Sequence, residues 1–192
     1  MKKKYLEETI KDSINAKKSL LSIEDKITKA IIVIYKKLSL GGKIFLCGNG
    51  GSAADAQHLA AEFLVRLDPK RNRLPIPAIS LATDVSTITA CGNDYSFDKI
   101  FSRNLASLGS KKDVLIVIST SGKSKNILEV LKTSRKKGIF SIGFYGKKGG
   151  SAKKMTNISL IVNSDNTARI QESHILLGHY MFEQVEKKLF YS

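Results

Sequence analysis

The chain has 192 residues, 42% of them hydrophobic, and a formal net charge of +15. This length fits one α/β domain with a sizeable core, and no apolar run approaches the roughly 20 residues of a membrane span. The charge is carried by lysine (Lys2–Lys4, Lys17–Lys18, Lys36–Lys37, Lys111–Lys112, Lys136–Lys137, Lys147–Lys148, Lys187–Lys188) at expected helix ends and turns, which reads as solvated surface rather than a nucleic-acid footprint.

The opening MKKKYLEETIKDS is basic but has no apolar core, so it is not expected to be a secretory signal. Residues 2–40 read as two helices broken near Ser19–Ile23; Ile23, Ile27, Ala30, Ile31, Ile34 and Leu38 recur at helical spacing in the second. Such an apolar pair needs a surface to cover, either its own sheet or another subunit. Gly41-Gly42 ends it.

Next comes KIFLCGNGGSAADAQHLAAE, residues 43–62. Ile44–Cys47 reads as a buried strand, and Gly48-Asn49-Gly50-Gly51 permits a sharp turn with uncovered N–H groups. Ser52 is the expected N-cap, with Asp55 completing an approximate capping box. The helix behind carries His58 and Glu62 four residues apart, on one face, among apolar neighbours. An anion-receptive helix start and two proton-handling side chains thus share one segment. An isolated His–Glu pair is more often ordinary helix surface, but the glycine loop in front favours a site. Cys47 and Cys91 lack metal-type spacing and read as reduced core thiols of a cytosolic protein.

This helix is expected to run to about Leu67. A polar loop, Asp68–Arg73, leads to a strand at Ile76–Leu81 flanked by Pro75 and Pro77. Thr83-Asp84 or Ser86 caps a helix ending near Cys91–Asp94, and Phe97–Leu108 forms another. Tyr95, Phe97 and Phe101 read as core packing, and Arg66 and Arg169 as anion contacts. Asp113–Ile118 is apolar on both faces, as a buried parallel strand is. Lys125–Lys137 reads as helix, Ile139–Phe144 as strand, Gly146–Gly150 as a glycine turn, then a brief helix, a strand at Ile158–Val162 and a long helix from Thr167 to about Leu189. The alternation predicts a doubly wound, five-stranded parallel sheet flanked by helices: one domain over 1–192, with 1–40 as a helical extension. In such sheets ligands sit beyond the carboxyl ends of the strands.

Ser119-Thr120-Ser121-Gly122-Lys123-Ser124 lies at such an end, between strand and helix. Its hydroxyls, glycine and free helical N–H groups make a phosphate cradle. A capping loop would need one serine, so their density favours a binding role. The spacing is not that of a Walker A loop, and no nucleotide cofactor is expected.

Strand, S-T-S-G-x-S, then helix resembles the SIS (sugar isomerase) domain, whose serine-rich loop holds a sugar phosphate. With CGNGGSAADAQH, CGNDYSFDKIFSR and the TARIQESH…H of the last helix, the chain is similar to the sedoheptulose 7-phosphate isomerase (phosphoheptose isomerase) subfamily. The resemblance implies an aldose–ketose isomerase that makes D-glycero-D-manno-heptose 7-phosphate for bacterial lipopolysaccharide or capsule precursors. It also implies a cytoplasmic homotetramer with sites at subunit interfaces. By motif position Glu62 is its base and His179 the partner acid. Asn49, Gly50, Gly51, His58, Glu62, Asn93, Asp94, Ser119, Thr120, Ser121, Ser124 and Gln171 would touch substrate. Where the family carries zinc, its ligands would be His58, Glu62, Gln171 and His179. Gln171 and His179 are eight residues apart, about 12 Å along a helix; either the side chains lean together, they touch different parts of the substrate, or one serves a neighbouring subunit. His174 takes a structural or supporting role, and Glu172 a salt bridge to Arg169 or Lys187.

The chemistry suits the residues, because moving a proton between C1 and C2 through an enediol needs a carboxylate base and an acid at the neighbouring oxygen. Two rivals stand beside this reading. One is a non-catalytic SIS module that binds a phosphosugar or a replication-initiator-type protein partner. The other is a nucleic-acid binder, supported by charge alone. Neither a nucleic acid nor a membrane is expected as partner.

Overall fold

The computed structural model describes residues 4–191, so Lys2 and Lys3 of the basic start lie outside the described residues. In chain order come α1 (Lys4–Lys18), a 3₁₀ turn (Ser19–Ile23), α2 (Glu24–Ser39), β1 (Ile44–Gly48), α3 (Gly51–Leu64), β2 (Ala78–Ser80) and α4 (Val85–Asp94). They are followed by α5 (Ile100–Leu108), β3 (Val114–Ser119), α6 (Lys125–Lys136), β4 (Phe140–Tyr145), β5 (Ile158–Ile161) and α7 (Thr167–Phe190). The five strands form one parallel sheet in the order β2-β1-β3-β4-β5.

Strand side chains alternate between two cores. Ile44 and Leu46 of β1 and Val114, Ile116 and Ile118 of β3 face the layer of α2, α3 and α7. Phe45, Cys47, Leu115 and Val117 face the opposite layer, built on α5 and α6. Both faces being covered, the central strands read in sequence as unbroken apolar runs. α2 covers its own sheet, with Ile27, Ala30, Ile31 and Ile34 in the first core. α1 is different: Ala16 is buried, whereas Leu6, Ile10 and Ile14 line an exposed apolar stripe.

α3 and α7 lie side by side and run in the same direction, each leaving the carboxyl edge of the sheet. Gly51 meets Gln171, Leu59 meets Gly178, and Phe63 stacks on Phe182 with centroids 3.7 Å apart. A Cβ on Gly178 would come within 2.5 Å of Leu59 Cδ1, so the missing side chain permits this spacing. At the lower end Arg73 locks the pair: its Nη2 donates to Glu62 O and its Nη1 to Phe63 O, while Nε donates to Glu186 Oε2 of α7 at 2.8 Å. Both charges are buried.

Several boundaries differ from the sequence reading, for identifiable reasons. α3 stops at Leu64, before the expected Leu67, where the Arg73 guanidinium gathers its last carbonyls. β2 shrinks to three residues at the sheet edge, next to prolines that lack an N–H. Phe97–Lys99 is a 3₁₀ turn ahead of α5. Ser52 is not the N-cap: Gly50 takes that place at φ +56, and Ser52 sits buried in the first turn, so the capping box with Asp55 does not form. Of the four helices that follow a strand, α4 is capped by Asp84 and α7 by Asn166, whereas α3 and α6 begin with no side-chain cap. Tyr95 and Phe97 are exposed rather than core, and Arg103 stacks its guanidinium on Tyr95 at 3.7 Å; Phe101 is buried as expected. No helix among the described residues is long and apolar enough to cross a membrane.

Candidate active site

β1 and β3 are neighbours, and the chain leaves them toward opposite sides of the sheet. This is the switch point, where the loops diverge and open a crevice. The glycine loop after β1 and the serine loop after β3 form its two walls.

The serine loop is held by its own atoms. The Gly122 N–H donates to Ser119 Oγ at 3.1 Å, and the Lys123 N–H to Ser121 Oγ at 3.3 Å. Gly122 has φ +61, and a Cβ there would strike Gly149 O at 2.1 Å, so the loop is seated on the 146–150 turn. Ser124 occupies the N-cap of α6 without using its hydroxyl for the cap. Thr120, Ser121 and Ser124 are half-buried around this open helix start. The arrangement can accept an anion through N–H and O–H donors.

A side-chain pair joins the walls. Asn49 Nδ2 donates to Asn126 Oδ1 at 2.9 Å, and Asn126 Nδ2 donates back to Asn49 Oδ1 at 2.8 Å. The Asn49 carboxamide, expected to face the sugar, therefore turns toward α6.

The α3–α7 seam carries the titratable groups. His58 Nε2 and His179 Nε2 stand 2.7 Å apart, and Glu62 Oε1 is 3.4 Å from His58 Nε2. One ligand atom from each of His58, Glu62 and His179 lies within 4.8 Å of the other two. Burial lowers the His179 pKa and the neighbouring His58 charge adds to this, against an opposite pull from Glu62. Its imidazole is thus biased toward the neutral form. Two imidazole nitrogens and a carboxylate are a fitting donor set for a borderline-soft divalent ion such as zinc. Asp55 lies on the same helical face, one turn before His58. Burial pushes its carboxyl up to about 6, with His58 pulling the other way, and its Oδ2 is buried without a hydrogen-bond partner.

The remaining expected site residues are placed variously. Gln171 sits on Gly51, two turns of α7 before His179, with its Nε2 2.5 Å from where a Cβ would stand. Asn93 and Asp94 are exposed at the end of α4 and hydrogen-bond to each other at 2.9 Å. Arg169 is committed to Glu172 and to Thr9 O rather than left for an anion, and Glu172 also accepts from Ser13 Oγ. Arg66 is exposed. His174 is fully buried, and neither ring nitrogen makes a well-formed hydrogen bond. Burial lowers its pKa to about 4, opposed by the backbone of Tyr145.

Sequence reasoning missed three residues. Asp55 was legible: its spacing to His58 and Glu62 is i, i+3, i+7. Asn126 gave a weak signal, as a polar residue on the buried face of α6. Arg73, in a polar loop, gave none.

A parallel sheet with a phosphate-type cradle at its switch point and an acid–base cluster on the adjoining α3–α7 seam is the architecture of a phosphosugar-handling α/β protein. A family model described as SIS domain matches residues 8–146. The chain is 44% identical over 191 residues to a phosphoheptose isomerase of Clostridium acetobutylicum, spanning 98% of this chain and 96% of that one. A phosphoheptose isomerase structure from Francisella tularensis superposes with TM-score 0.90 at 38% identity, covering 95% of this chain and 96% of the other. One from Neisseria gonorrhoeae gives 0.89 at 38%, covering 97% and 100%. The chain belongs to the SIS-domain family and, within it, to the phosphoheptose isomerases.

Proposed function

We infer that the protein is an aldose–ketose isomerase acting on sedoheptulose 7-phosphate and yielding D-glycero-D-manno-heptose 7-phosphate. The observation that carries this reading is the His58–Glu62–His179 cluster on the α3–α7 seam, in a chain that also carries the serine loop. A module that only binds phosphosugars needs the cradle and has no use for three converging proton-handling groups.

The serine loop and the start of α6 hold the phosphate, and the backbone of Asn49–Gly51 faces the sugar. Glu62 takes the proton from C1 of the ketose and returns it to C2, while His179 donates to O2 and receives from O1. In an alternative to His179 acting as acid, His58, Glu62 and His179, with the Gln171 amide as a fourth donor, would hold zinc, which would instead polarise the substrate carbonyl.

The assembly we propose is a cytoplasmic homotetramer. An apolar groove lined by Leu20, Leu21, Ile27, Leu176, Leu177 and Tyr180 shares Leu176 and Tyr180 with a second groove that reaches His179. A second copy seated there would also cover the α1 stripe, and the exposed Asn93–Asp94 pair suits a site completed by a neighbour. A monomer by light scattering would remove this part of the reading.

The decisive assay follows sedoheptulose 7-phosphate by NMR in heavy water, with and without a chelator. Deuterium entering C2 of an aldose product is expected. Binding without turnover would overturn the isomerase in favour of a sugar-sensing module.

A further inference from the structure

We propose that Asn126 is a positioning residue: its carboxamide clasps that of Asn49 and fixes the glycine loop against the phosphate-binding end of α6. The inference rests on the isomerase reading for its kinetic part. Its structural part stands on the geometry alone.

Asn126 is the second residue of α6, just past the Ser124 cap position, and is 2% exposed. Asn49 directly precedes Gly50, whose φ of +56 starts α3. Two opposed N–H···O bonds, 2.9 and 2.8 Å, close a ring between carboxamides 77 positions apart in sequence. A doubly bonded pair fixes the torsions of both side chains, where a single bond would leave a hinge. Among the described residues it is the one side-chain hydrogen-bonded link between these two loops. Asn126 is too buried to meet a sugar, so its influence passes through Asn49.

The geometry of the reaction gives this link its purpose. The substrate is gripped at its phosphate by the α6 wall and reacts at its other end on the α3 wall. The spacing of the walls therefore decides whether C1 arrives at Glu62. Misplacement by about 1 Å can cost on the order of a hundredfold in rate. The clasp itself is made of two uncharged carboxamides.

The test is a double-mutant cycle in kcat/KM over the wild type, Asn49→Ala, Asn126→Ala and the double variant, with inorganic phosphate affinity and melting temperature measured in parallel. Asn126→Ala should lose about ten- to a hundredfold, mainly in kcat, while its phosphate affinity stays within about threefold. The double variant should be no more than about threefold worse than the poorer single one, because both cut the same link. Asn126→Asp, which keeps one bond but sets oxygen against Asn49 Oδ1, serves if the alanine variant does not fold and should also lose kcat. Losses that multiply, or a wild-type kcat in Asn126→Ala, would overturn the proposal. An inactive wild type would instead refute the isomerase reading. In that case amide exchange decides: inorganic phosphate should slow exchange at residues 49–53 in the wild type and not in Asn126→Ala, and equal protection in both would overturn the clasp.

Discussion

The two walls of the crevice are made of different material. The α6 wall is backbone and hydroxyl: Gly122 and Lys123 N–H groups engaged with serine oxygens, and an open helix start. The α3–α7 wall is titratable side chain: His58, Glu62 and His179, with Asp55 one turn away. In the reading proposed above, binding would be spread over many modest donors, none of which is decisive. Proton transfer, in the same reading, would be concentrated in groups that have no understudy, and these depend on a buried scaffold. Substitution should hit the walls very unequally.

The largest effect belongs to Glu62→Gln, which keeps shape but cannot take a proton. Turnover should fall by about 10² to 10⁴-fold, with phosphosugar affinity and melting temperature close to wild type. Retained turnover would move the base elsewhere. Arg73→Met comes next, since it strands Glu186 in the core and releases the carbonyls of Glu62 and Phe63. A loss of about 3–5 kcal/mol is expected in urea unfolding, and a loss under 1 kcal/mol would mean that the clamp is incidental.

Acid should also strike through the α7 layer. Burial holds the folded His174 pKa down to about 4, below the 6.5 of an ordinary histidine. The unfolded chain therefore binds the proton more readily than the folded one. The stability contributed by keeping His174 neutral is complete above about pH 6.5 and is lost as pH falls toward 4, by about 3 kcal/mol in all. Chemical denaturation of the wild type and His174→Leu across that window checks it; parallel curves would sink the assignment. The smallest effect is expected from Ser124→Ala, which removes one donor among several. KM should rise by about two- to tenfold, the worth of one hydrogen bond, with kcat unchanged. A large loss of kcat would erase the distinction between the walls.

The sheet was legible because burial on both faces leaves β1 and β3 as bare apolar runs that polar sequence cannot imitate. The serine loop and the His58–Glu62 pair were legible because each lies within one continuous segment. What escaped depends on distant partners. The Arg73–Glu186 pair spans 113 positions and the Asn49–Asn126 clasp 77, and no local pattern announces either. Ser52 misled because a serine after glycines is a common N-cap, yet positive φ at Gly50 starts the helix earlier. Tyr95 and Phe97 misled because aromatic residues beside a helix usually pack inward, and these do not.

The uneven capping of the helices has a consequence for the protein as a thermodynamic object. α4 and α7 carry their own side-chain caps and α3 turns its first amides onto Asn49 O and Gly50 O, whereas α6 begins with no side-chain cap and leaves its start open to a visitor. A phosphate ester bound there, as proposed, would serve as the missing cap, and the resting stability of the chain would become a function of its solute. By mass action, ligand at a hundred times its dissociation constant adds about 2.7 kcal/mol. The protein in a phosphate-rich medium and the same protein in a phosphate-free one should therefore melt at different temperatures.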